Sequence, residues 1–251
     1  MKNITKTVIT AAAIALMAHQ ASAQTVIYAL PFVISTAGNY ILEGNLTLPP
    51  GPAAQNAITV NTNNVTIDLG GFEISQTAGP STPVAFGIFA MNRANITVKN
   101  GTIAGFNEGI VLEYASGLNI NYNHVIDGVR FINEQLFAIV LHHATNCLVQ
   151  NCAIADTGYG AQGNVVSTQG TGIDVSLTSQ GAGNALVNNR ITHSTLLATE
   201  SFGGTYLNAN FASQCPTGFK MSANDKYRNN VTIDCLKPFL QNGATDLGGN
   251  N

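Results

Sequence analysis

One pattern recurs along the chain and limits what it can fold into. A small residue opens a short apolar alternation, an Asn or Gly follows, and a second apolar alternation comes next. The openings are Ala57-Ile58-Thr59-Val60, Gly87-Ile88-Phe89-Ala90, Gly109-Ile110-Val111-Leu112, Ala138-Ile139-Val140-Leu141, Gly172-Ile173-Asp174-Val175 and Gly218-Phe219-Lys220-Met221. The second runs follow Asn64, Asn95, Gly117, Asn146, Asn184 and Asn230, at intervals of 7, 8, 8, 8, 12 and 12 residues from the small residue. A third short run closes most repeats, as in Phe72-Glu73-Ile74, Thr102-Ile103, His124-Val125, Ala153-Ile154 and Arg190-Ile191. Self-similarity at this spacing marks a repeat architecture.

Three short runs of period two per repeat, divided by Asn or Gly, predict one rung of a parallel β-helix, an all-β solenoid with three short strands per rung. Alternate side chains point inward and stack on the next rung about 4.8 Å away. Asn and Gly suit the corners because they tolerate left-handed backbone angles, and stacked Asn side chains can bond from rung to rung. A β-sandwich also has many short strands, but it calls for hairpin signals rather than a fixed small-to-Asn interval. Composition fits the solenoid. Only 9% of residues are charged, against about 25% in an ordinary soluble domain, whereas 29 are Asn. Helices with Lys/Glu-rich outer faces are therefore excluded. Disorder is excluded by 45% apolar content with a net charge of −3, and the acidic balance excludes a basic nucleic-acid binder.

Residues 1–23 read as a secretory signal peptide: Lys2 and Lys6, an apolar run from Val8 to Met17, and the Ala21-Ser22-Ala23 cleavage motif. The run is shorter than the ~20 residues that span a bilayer, and no later segment is long and apolar enough. The expectation is a secreted chain, extracellular or periplasmic, of residues 24–251. It would form a single domain of six to eight rungs with an N-terminal opening segment and a C-terminal cap. Without Lys2 and Lys6 the net charge is −5.

The runs Asn64-Val65-Thr66-Ile67-Asp68-Leu69-Gly70-Gly71-Phe72-Glu73-Ile74 and Asn95-Ile96-Thr97-Val98-Lys99-Asn100-Gly101-Thr102-Ile103 resemble the repeats of right-handed parallel β-helix proteins of the pectate-lyase-like superfamily. Leu30 to Leu42 resembles the segment that begins many bacterial members, and the resemblance spans roughly residues 26–240. It implies the right-handed winding and a polysaccharide partner, with lyase chemistry as the activity suggested by analogy. No catalytic motif of the family carries over residue by residue.

If the inward residues of the first strand are apolar, its outward residues follow by register. Glu113, His142 and Asp174 then share one sheet face in three consecutive rungs, with Glu113 and His142 in one column. A His flanked by carboxylates can act as general acid or base, so these three are the candidate catalytic residues, the alternative being a merely solvated face. Phe89 and Lys220 on the same face are candidate substrate contacts. Asp127 and Asp156, each two residues past the last apolar position of a third strand, are expected to stack. They would then share a proton or a cation such as Ca²⁺, serve glycoside hydrolysis as paired acids, or simply cap their turns. A lyase needs a cation to neutralise a uronate carboxylate, and Lys220, Arg190 and Arg130 do not cluster by register. Neutral-glycan hydrolysis fits the residues better.

The reading that results is a secreted β-helix protein that binds and cleaves a polysaccharide, as lyase or hydrolase. Its rival is a non-catalytic surface or envelope protein docking through outward Phe89, Met91, Val111 and Val140. Cys215 and Cys235 are the preferred disulfide, fastening the last rung, while an extended run keeps Cys147 and Cys152 too far apart to bridge. The Asn-X-Thr triplets at Asn45, Asn64, Asn95 and Asn230 are read as structural, and His143 and His193 as structural or solvated.

Overall fold

The computed structural model describes residues 24–50, 55–76, 85–115, 121–160, 162–176 and 183–251. Residues 1–23, read above as a signal peptide, and the segment 117–120 lie outside them. The regular elements of the described residues are all strands, and every strand pairing is parallel. No helix there is long and apolar enough to cross a membrane.

The strands stack as the repeat requires. Nine first strands, from Phe32–Ile34 to Lys237–Asn242, form one sheet, one more than the upper end of the expected range. Second and third strands join in a larger sheet, because the strands Ile96–Ala104 and Val125–Ile132 run through the corner between them without a break. The fold is a right-handed parallel β-helix.

Its core consists of vertical stacks. Ile58, Ile88, Ile110, Ile139 and Ile173 lie over one another and are fully buried. Beside them stand Val60, Ala90, Leu112 and Leu141. The small residues that open each repeat form a column of their own. A Cβ on Gly87 would lie 2.5 Å from the Gly109 carbonyl oxygen, and one on Gly109 would lie 2.5 Å from that of Ala138.

Corners are columns of left-handed residues. Asn64, Asn95, Asn123 and Asn146 have φ between 53° and 60°. Their side chains form a ladder in which Asn95 Nδ2 donates to Asn64 Oδ1 at 2.7 Å and Asn123 Nδ2 to Asn95 Oδ1 at 3.2 Å. A second ladder runs inside the coil: Asn189, Asn210 and Asn230 are buried, and each side-chain oxygen accepts a backbone N–H from the rung below. Those amides would otherwise be unpaired in an apolar interior.

The structure revises four details of the register. Val125–Asp127 belongs to the second-strand column, and the third strand of that rung is the later part of Val125–Ile132. Asp127 consequently sits at the second corner and Asp156 at the third, so the two do not stack. The long stretch between Thr192 and Gly218, in which the sequence pattern marks no repeat, holds a complete rung, Leu197–Ser201, Tyr206–Asn208 and Phe211–Ser213. Val231–Ile233 is a third strand, and Lys226–Arg228 is the second strand of its rung. Finally, Cys215 and Cys235 are one rung apart on adjacent turns, yet all four cysteines are free thiols. Each of the pair turns back on its own chain, Cys215 Sγ donating to the Ser213 carbonyl at 3.2 Å and Cys235 Sγ to that of Ile233 at 3.7 Å. Burial pushes the Cys147 and Cys152 thiols up to about 12, which keeps them protonated and inert.

Candidate functional site

The first-strand sheet carries the polar cluster that the register predicted. His142 follows Phe137–Leu141, and its backbone N–H continues the ladder to the Leu112 carbonyl at 3.1 Å, which places Glu113 and His142 in one column. Buried Asn121 ties these strand ends together by donating Nδ2 to the carbonyls of Leu112, at 3.2 Å, and His142, at 2.8 Å. Asp174 stands over Val140 in the next rung.

His142 Nε2 lies 3.2 Å from Asp174 Oδ2. Ser176 Oγ donates to the same oxygen at 3.3 Å, whereas Asp174 Oδ1 is buried with no hydrogen-bond partner. The imidazole remains accessible, its side chain 38% exposed against 10% for Asp174. The bond to Asp174 is the main cause that raises the His142 pKa above its ordinary value. Burial opposes the rise, and the charges of Asp174, Glu113 and Glu108 add to it.

Glu108 completes the cluster and was missed from sequence. It precedes the small residue Gly109 in the strand Glu108–Glu113, between Phe86 and Phe137 of neighbouring rungs. Burial is the main cause that raises its carboxyl to about 7; Glu113 and Asp174 add to the rise and His142 opposes it. Near neutral pH this patch therefore holds a carboxyl that is only partly ionised and a His fixed by a buried carboxylate, the pairing that proton transfer to and from a substrate requires.

The cluster continues upward. Asp174 faces Glu200, and Glu200 faces Lys220. Lys220 Nζ pairs with Glu200 Oε1 and lies 5.3 Å from the Phe202 ring centroid, so Glu200 neutralises the one cation of this column. Glu200 lies in the rung that the repeat pattern of the sequence does not mark.

Other expected residues fall elsewhere. Phe89 lies three rungs below Asp174, stacked on Phe86 at 5.4 Å. Val111 and Val140 face outward by register yet are 2% and 0% exposed, so they offer no apolar strip for docking. Asp127 sits on another wall, where Gln150 Nε2 and Asn151 Nδ2 each donate to it at 2.9 Å. Asp156 is bound to His193 Nδ1 through Oδ1 at 2.6 Å. Among the described residues no group of three or more His, Cys, Asp or Glu side chains is placed to hold a metal ion, and the separation of Asp127 from Asp156 removes the basis for a shared Ca²⁺.

No protein-family model and no curated protein sequence matches the chain. Among solved structures, it is similar to an alginate lyase from Paenibacillus sp. str. FPU-7, with a TM-score of 0.45 and 16% identity over 87% of this chain and 79% of that one.

Proposed function

We propose that the chain is exported and binds and hydrolyses a neutral polysaccharide on its first-strand sheet. The carrying observation is the accessible imidazole of His142 held by Asp174, with Glu113 in its column and Glu108, at the other end of the same strand as Glu113, coupled to it by charge. In this reading Glu108 protonates the leaving glycosidic oxygen, and His142, oriented by Asp174, takes a proton from the attacking water. Glu113 and Glu200 line the approach. Elimination fits less well, because it needs a positive group to offset a uronate carboxylate. Lys220 is already paired with Glu200, and Arg130 and Arg190 belong to the third-strand wall. The Lys2-to-Ala23 segment supports export.

The test is release of reducing ends, alongside formation of unsaturated products, across a panel of neutral and acidic polysaccharides. Reducing ends from a neutral polymer without unsaturation are expected. Glu108→Gln and His142→Ala should each lower that rate at least 100-fold, the lower bound usual for a positioned acid or base. Unsaturated products would replace hydrolysis by elimination. Retained binding with no release would leave a non-catalytic glycan-binding protein.

A further inference from the structure

We infer that a cavity at the third corner of the upper rungs is a second carbohydrate-binding site, shaped for a neutral sugar ring. The cavity holds about 450 Å³, within the range of small-ligand sites, and it is separate from the His142 cluster. Its wall is Tyr159, whose ring stacks on His193 with centroids 4.1 Å apart and planes 21° from parallel. His193 is in turn fixed by Asp156 at 2.6 Å. Such an anchored aromatic is a ready platform for the C–H face of a sugar, because little side-chain freedom remains to be lost on binding.

Thr195 Oγ1 is engaged, accepting the Gly170 N–H and donating to the Ser167 carbonyl, and three other polar groups of the lining are placed to meet hydroxyls. Ser194 lines it, is 1% exposed, and its Oγ has no hydrogen-bond partner of good geometry, the Cys215 thiol lying beside it. A buried hydroxyl left in this state costs free energy that a ligand hydroxyl would recover. Gln214 and Asp234, also in the lining, occupy successive left-handed corner positions with φ of 54° and 56°, and both are exposed. Leu236, 87% exposed, supplies an apolar rim. One carboxylate and no Lys or Arg line the cavity, so an acidic sugar would meet an unneutralised like charge.

The site lies along the same coil as the acid cluster. Leu196, one position before the strand that carries Glu200, shares a column with Pro216 and Leu236. The four residue steps from Leu196 to Glu200 span about 13 Å of extended chain. A glycan seated in the cavity can therefore reach the sheet where cleavage is proposed. The choice of a glycan ligand rests on that proposed function, but the binding argument does not require cleavage.

The test is calorimetric titration of the full chain with neutral cello-, manno-, malto- and xylo-oligosaccharides and with oligouronates, paired with the cleavage assay. Binding of at least one neutral oligosaccharide is expected. Tyr159→Ala and Asp234→Asn should each weaken it about tenfold, and Ser194→Ala should weaken it without lowering the melting temperature. Tyr159→Phe should leave it unchanged, and Tyr159→Ala should cause the same loss in a His142→Ala background as in the parent. Absence of neutral binding, a preference for oligouronates, or binding insensitive to Tyr159→Ala and Asp234→Asn in variants that melt like the parent would overturn the inference. Neutral binding that depends on Tyr159, in a parent protein that cleaves no polymer of the panel, would overturn only the proposed function.

Discussion

Glu134 shows what one buried side chain imposes on the molecule. It is fully buried; Oε2 accepts the Phe106 backbone N–H at 2.9 Å, and Oε1 has no partner. Burial raises its pKa well above the ordinary value, so the folded chain keeps a proton that the unfolded chain releases once pH passes about 4.3. The stabilisation is fully present below that pH and is lost as pH rises toward the folded pKa, by about 1.4 kcal/mol per pH unit. Glu134→Gln removes the titration and keeps an oxygen for Phe106. Denaturation midpoints of the variant should fall less steeply than those of the parent between about pH 5 and 8; parallel curves would show that another group controls the slope.

Among the elements, the column of small residues is the most demanding. A Cβ on Gly109 would lie 2.7 Å from the Phe131 ring as well as 2.5 Å from the Ala138 oxygen. Gly109→Ala should therefore cost roughly 1–3 kcal/mol in chemical denaturation, although Ala138 and Ala198 occupy the same column in other rungs. This column and the five stacked Ile residues were legible in the sequence, because small residues and alternating apolar ones have few other uses at fixed spacing. Leu197–Ser201 was not legible. Its buried positions include Thr199 and Ser201, at 1% and 0% exposure, and an apolar alternation cannot reveal polar residues that face inward. Ser201 is tolerated there because its Oγ donates to Asp225 Oδ2 at 2.8 Å. Asn230 misled for a related reason: a buried ladder and an exposed corner both select Asn. The site followed the same division. Glu113, His142 and Asp174 lay in well-patterned strands and could be placed together, whereas Glu108 stood before the small residue and Glu200 in the unrecognised rung.

At the scale of the whole molecule, each rung touches only its neighbours, so stability is expected to vary along the axis. Ile110, Ile139 and Ile173 are fully buried in the middle rungs, while Ile233 and Leu236 near the last rung are 50% and 87% exposed. Amide exchange followed by mass spectrometry should be slowest across Glu108–Glu113 and Phe137–Leu141 and fastest across Lys237–Asn242. Equal protection of these strands would mean that the coil opens as one unit.

The last three turns keep a constant offset. Leu197, Thr217 and Lys237 superpose, as do Tyr206 with Lys226 and Phe211 with Val231, each step being 20 residues. The coil can thus be shortened or extended in whole quanta, and excising 197–216 would rejoin the backbone in phase. Such an edit would also remove Glu200 and set Lys220 opposite Asp174, exchanging an acid pair for a mixed one. A change in length alone is then enough to bring an unpaired cation beside Asp174 and make the site less acidic, while the scaffold that carries it keeps its shape.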